Sequence, residues 1–199
     1  MRNNRYRLSR IEIDALMASR EKEQEESRVL VIGDVHAPFE RKDYLQFCID
    51  TYNKYKCNKV VFIGDIIDNH HSSYHETDAD GLGGGDELDL AINRIQDWYK
   101  AFPEAYVTIG NHDAIIMRKA QSSSIPSKWI KNYNEVLGTP KWNWVTDVVI
   151  DDVRYVHGHK SSKARTAMGY MQGGKKEALG CGVVLDNGRT PITIKMDLD

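Results

Sequence analysis

Val29-Leu30-Val31-Ile32-Gly33-Asp34-Val35-His36 is the stretch that decides the fold. A short aliphatic run with no polar alternation is the pattern of a strand buried on both faces, and it stops at a glycine followed by an oxygen-bearing side chain. The same unit recurs twice. Val60-Val61-Phe62-Ile63 runs into Gly64-Asp65, and Tyr106-Val107-Thr108-Ile109 runs into Gly110-Asn111. Between the units lie two amphipathic stretches. Residues 42–56 carry Leu45, Cys48, Tyr52 and Tyr55 at helical spacing, and residues 86–100 carry Leu88, Ile92, Ile95 and Trp98. Strands alternating with helices predict a layered α/β domain. In open α/β sheets ligands gather beyond the carboxyl ends of the strands, so these strand ends are the place to look for chemistry.

Working outward, Ser9 and Glu12 have capping-box spacing ahead of Ile13, Leu16 and Met17. Residues 1–27 therefore read as a helical extension, with a basic arm (Arg2, Arg5, Arg7) and a charged end, and residues 28–199 as the main domain. A polar, glycine-rich loop spans about 69–85. Its Gly81–Gly85 segment is not GxGxxG, follows no strand and is expected to be a connection ahead of the helix. Ser127 is expected to cap one helix running through Trp129 and Val136 to Gly138-Thr139-Pro140. Two strands, 148–150 and 153–156, flank a tight Asp151-Asp152 turn, and the second ends in His157-Gly158-His159. The tail reads as a hairpin, 182–185 with 192–195, around Asp186-Asn187-Gly188.

The chain has 199 residues, 41% hydrophobic and 28% charged, with a net charge of −2, which suits one globular domain and offers no global basic field for nucleic acid. Its cysteines, Cys48, Cys57 and Cys181, are three in number and form no CxxC. A disulfide framework and a structural zinc site are thus not expected. The amino-terminal stretch lacks the apolar core of a signal peptide, and no apolar run approaches the roughly 20 residues of a membrane span. The expected location is the cytoplasm, with no membrane partner.

Four strand ends thus carry metal-type ligands in the order Asp-x-His, Asp, Asn-His, His. Asp34 and His36, two apart on an extended chain, would face the same side and grip one ion. Asp65 has two carboxylate oxygens and can bridge two ions. Asn111 offers an amide oxygen and His157 an imidazole. Mixed oxygen and nitrogen donors suit Mn²⁺ best, with Fe or Zn²⁺ as alternatives, over Ca²⁺ or Mg²⁺. Two divalent ions about 3.5–4 Å apart are the arrangement used for in-line phosphoryl displacement.

Gly33-Asp34-Val35-His36, Gly64-Asp65-Ile66-Ile67-Asp68-Asn69, Gly110-Asn111-His112-Asp113 and His157-Gly158 together resemble the motifs of the calcineurin-like metallophosphoesterase superfamily, spanning residues 33 to 159. The resemblance implies an α/β fold of four layers, an α/β/β/α sandwich of two mixed sheets flanked by helices. It implies that Asp34 and His36 bind the first metal, that Asp65 bridges, and that Asn111 and His157 bind the second. It further implies that His112 is the catalytic histidine, that Asp68 pairs with it, and that the nucleophile is a metal-bound hydroxide rather than a side chain.

One departure bears on activity. The family pattern closes with Gly-His-x-His. This chain has seven histidines, at 36, 70, 71, 75, 112, 157 and 159, and none follows His159. The domain therefore reads as shortened near 172–175. His157-Gly158-His159 is an alternative closing pair, although Val156 stands where that motif has glycine. Without the closing histidines each metal lacks one ligand, and weak metal binding with reduced turnover is expected. His70, His71 and His75 can contact a substrate phosphate or substitute for a ligand; alternatively they form an exposed polar loop. Lys160, Lys163 and Arg165 can meet a phosphodiester backbone or form a solvated basic loop. After Asp68 comes Asn69-His70, not the Arg-Gly of the protein-phosphatase branch. A phosphodiester, with nucleic acid among the candidates, is thus the preferred substrate. The competing expectation is a catalytically impaired or inactive binding or regulatory module on the same fold.

Overall fold

A computed structural model describes residues 9–14, 26–74, 76, 80–158 and 179–196. At its amino-terminal end, residues 10–14 are helical, α1. The expected capping box is present: Ser9 N and Oγ donate to Glu12 Oε2 at 2.7 and 2.8 Å, and Glu12 N donates to Ser9 Oγ at 3.3 Å.

The core is a mixed sheet of six strands in the order β4-β3-β2-β1-β7-β8. Strands β1 (Val29–Ile32), β2 (Lys59–Phe62), β3 (Ala105–Thr108) and β4 (Trp142–Val145) run parallel. The carboxy-terminal hairpin, β7 (Gly180–Leu185) and β8 (Thr190–Lys195), adds antiparallel beside β1. Helices α2 (Tyr44–Tyr55) and α3 (Gly84–Ala101) connect the first three strands.

Both faces of the sheet are covered, which is why its central strands are apolar throughout. Leu30, Ile32, Val60, Phe62, Ala105, Val107, Cys181 and Val183 point to the helical side, against Tyr44, Cys48, Ile95 and Trp98. Their neighbours Val29, Val31, Val61 and Val184 point the other way, onto Ile150 and Tyr155. These last two come from the second sheet, an antiparallel ribbon of β5 (Asp147–Ile150) and β6 (Val153–Val156). An aromatic cluster locks the helical side. Phe62 lies 4.8 Å from Trp142 and 5.9 Å from Trp98, centroid to centroid, and Trp142 Nε1 donates to Phe102 O at 2.8 Å.

The mixed α/β architecture expected from the sequence is present, with a smaller second sheet of two strands. Both tight turns form as read: Asp151 and Asp152 have φ of 52° and 62°, and Asp186 and Asn187 have 52° and 51°. Three local readings change. The single helix from Ser127 is instead a 3₁₀ turn, Ser127–Trp129, and a separate α5, Tyr133–Leu137. Asn132 provides the break, because its side chain accepts from Glu135 N and starts a new helix with its own capping box. Gly84 and Gly85 lie in α3, not in a connection before it. Helix α4 (Ile115–Ser122) and strand β4 are additions the pattern did not mark. Among the described residues, no helix is long and apolar enough to cross a membrane.

Candidate metal centre

Parallel pairing of β1, β2 and β3 sets Asp34, Asp65 and Asn111 side by side past the strand ends. The loops are then laced together. His36 N donates to Asp65 O and Ala37 N to Ile66 O, each at 2.9 Å, and Asp68 N donates back to Ala37 O at 3.0 Å. The expectation that residues 34–36 run extended is corrected here. Asp34, His36 and Asp65 all have positive φ, at 40°, 51° and 51°. Their side chains converge through left-handed backbone, a conformation uncommon for such residues and held by the surrounding hydrogen bonds.

Two glycines make the close approach possible. A Cβ at Gly110 would fall 2.1 Å from Asp65 Oδ1. Gly64, at φ +93°, would place one 2.7 Å from His157 Nδ1. Gly33 has no such constraint, since the nearest atom to a Cβ there is 3.5 Å away.

The titratable groups form two triads that share one carboxylate. His36, Asp65 and His112 make the first, and Asp34, Asp65 and His157 the second; in each, one ligand-type atom per residue lies within 4.8 Å of the others. Asn111 joins the second, its Oδ1 2.9 Å from His157 Nε2. His112, expected to act on the substrate, thus also stands among potential ligands, and Asp34 stands with His157.

The imidazoles are held in a consistent way. Nδ1 of His36 bonds to Asp68 Oδ1 at 2.6 Å, Nδ1 of His112 to Asp68 O at 2.5 Å, and Nδ1 of His157 to Ile63 O at 2.7 Å. A carbonyl can only accept, so Nδ1 of His112 and His157 carries the hydrogen and, in the neutral ring, Nε2 carries the lone pair. At His157 that lone pair faces Asn111 Oδ1 and, at 3.4 Å, Asp65 Oδ2. Three acceptors turned toward one another are a donor set suited to a divalent cation, and their oxygen and nitrogen chemistry fits Mn²⁺, Fe or Zn²⁺.

The electrostatics agree with a cation site. Burial, then the Asp65 charge, raises the pKa of Asp34 above the usual carboxylate range. Burial disfavours protonated His36, but the Asp68 bond and the nearby carboxylates outweigh it and raise its pKa overall. Burial likewise works against ionised Asp68, and its bond to His36 wins, lowering the pKa. Asp68 therefore pairs chiefly with His36; its carboxylate is 3.5 Å from His112 Nδ1 and 3.9 Å from His70 Nδ1.

Two carboxylates that pattern reading passed over anchor the loops. Asp113, 1% exposed, accepts from the backbone N–H of Gly110, Asp65, Ile66 and Ile67 at 2.8, 2.9, 3.0 and 3.3 Å. Burial pushes its pKa up to about 6, against the lowering effect of those donors. Glu87, in the first turn of α3, accepts from His70 N at 2.6 Å and His71 N at 2.8 Å. Its only sequence signal was an acidic residue on an otherwise apolar helix face. His70 is half exposed, and His71 lies against Gly84. His75, His159, Lys160, Lys163, Arg165 and the region of the closing motif lie outside the described residues.

The chain belongs to the calcineurin-like phosphoesterase family, whose model matches residues 27–177. Members hydrolyse phosphate esters and bind divalent metals. No curated protein matches the chain. One solved crystal structure is similar at 14% identity and a TM-score of 0.36, over 62% of this chain and 49% of the other; the chain thus spans about half of that protein's length.

Proposed function

We propose that the chain hydrolyses a phosphodiester with two divalent cations, Mn²⁺ foremost, held by Asp34, His36, Asp65, Asn111 and His157. The observation that carries this reading is Asp65, whose carboxylate belongs to both triads and so can bridge two ions. Bound divalent ions would supply positive charge for the phosphorus oxygens and acidify a water for in-line attack. The protein's part is to hold the ligands. Asp68 orients His36 through Nδ1, Ile63 O orients His157, and Asp113 clamps the strand-end loops. With Nδ1–H committed to Asp68 O, His112 has Nε2 left, and in the protonated ring that nitrogen would carry the proton handed to the leaving oxygen.

The Asn69-His70 sequence after Asp68 supports a diester over a phosphoprotein substrate. Hydrolysis of bis-p-nitrophenyl phosphate over p-nitrophenyl phosphate with Mn²⁺ is the expected result, and brisk monoester cleavage with no diester cleavage refutes it. His112→Asn separates two roles for that residue. Retained metal, measured by plasma emission, with lost turnover is the expected result and assigns it to proton transfer; loss of metal would make it a ligand, which its place in the first triad permits.

A second reading rests on the lack of any histidine after His159. On that reading the centre binds metal weakly and the fold serves as a catalytically impaired binding module. Tight binding of two metals by the purified chain would exclude it.

A further inference from the structure

Beside the metal centre lies a small cationic and aromatic patch that the proposed chemistry does not use. Tyr74, 65% exposed, follows the loop that leaves Asp68. Over its ring sit Lys119 Nζ, 5.2 Å from the centroid, and the Arg118 guanidinium, at 5.9 Å. Both cations come from α4, the helix that begins just after His112. The patch is tied to the centre on both sides. Arg118 donates to the backbone carbonyl of Asn111 at 2.7 Å, and Lys119 donates to Ser73 O at 3.1 Å. A second exposed aromatic, Phe39, hangs on the turn that closes on His36, its N–H 2.8 Å from His36 O.

We infer that Tyr74, Arg118 and Lys119 form a subsite for the nucleotide next to the scissile phosphate, so that the substrate is a single-stranded nucleic acid or another nucleotide diester. This rests on the phosphodiesterase reading above and adds the substrate class. An exposed tyrosine face offers a stacking platform for an unpaired base, and the flanking cations match the neighbouring phosphate. A simple alkyl phosphate could use the cations but has no base to stack on the ring. A chain of net charge −2 has no global attraction for nucleic acid, so a local pair of cations is where such a substrate would be steered.

The test is binding of a 5′-labelled thymidine decanucleotide by fluorescence anisotropy, using the full chain with Mn²⁺ and His112→Asn to hold off cleavage. Tyr74→Leu is expected to weaken binding about tenfold. Lys119→Met is expected to weaken it several-fold and to lower the slope of log Kd against log salt by about one, whereas Lys119→Arg restores both. Unchanged affinity in Tyr74→Leu and Lys119→Met, or no salt-dependent binding by the parent chain, overturns the inference. Hydrolysis of bis-p-nitrophenyl phosphate by the unmodified chain is measured separately. Its absence removes the phosphodiesterase reading alone, whereas its presence with unaffected oligonucleotide binding removes the subsite alone.

Discussion

An added methyl at Gly110 would lie 2.1 Å from Asp65 Oδ1 and 2.2 Å from Asp65 N, so one of the two loops must move. Gly110→Ala is therefore expected to lower Mn²⁺ affinity at least tenfold, by about the effect of removing a group that orients a ligand; isothermal titration measures it. Asp113 works on the same loops from beneath. Asp113→Ala leaves four backbone N–H groups without their acceptor, at least three of them within 3.0 Å of it now. Each buried donor left unsatisfied costs about 1–3 kcal/mol, so a loss of at least about 3 kcal/mol is expected in urea unfolding, and Asp113→Asn, which keeps one oxygen, should lose less. At this scale the sequence named the ligand-type residues but not their supports. The Gly110-Asn111-His112-Asp113 motif was legible as a unit, yet nothing in the pattern said that its last carboxylate faces inward to gather amides from two strands.

Among elements, the β5–β6 ribbon does the most with the fewest residues. Ile150 and Tyr155 cover the outer face of β1 and β2, and β6 ends one residue before His157. Ile150→Ala removes apolar contact from a site only 8% exposed and is expected to cost about 3 kcal/mol by urea unfolding. Because the ribbon also positions His157, metal affinity should fall in the same variant, whereas a surface change such as Val149→Thr, 60% exposed, should alter neither. Strands β1, β2 and β3 were readable because burial on both faces makes their apolar runs continuous. The helix expected from Ser127 was misread because two caps stand close together, Ser127 by composition and Asn132 by an actual capping box. Strand β4 escaped because Trp142-Asn143-Trp144-Val145 is only four residues long and closely follows Pro140; pairing with β3 is what makes it a strand.

For the whole molecule, folding and metal binding are expected to be coupled, because the proposed ligands come from four separate strand ends that only the folded chain brings together. Added Mn²⁺ should therefore raise the unfolding temperature, and chelation should reverse the rise. At about 100 times the dissociation constant the gain is about 2.7 kcal/mol per site, so the size of the shift in a thermal melt also reports how tightly the centre binds. No shift at millimolar Mn²⁺ would sink the metal-site assignment. The sequence by itself determined the α/β class, the strand-end location of the centre and the identity of its ligand-type residues, because each is written in local pattern: an apolar run, a glycine, an oxygen or imidazole. Only the tertiary structure decided which residues share a site. The grouping of Asp65 with both triads, the pairing of Asp68 with His36 and the approach of Tyr74 to Arg118 and Lys119 all join residues far apart in the chain. Strand order and loop conformation set those distances, and no local pattern encodes them.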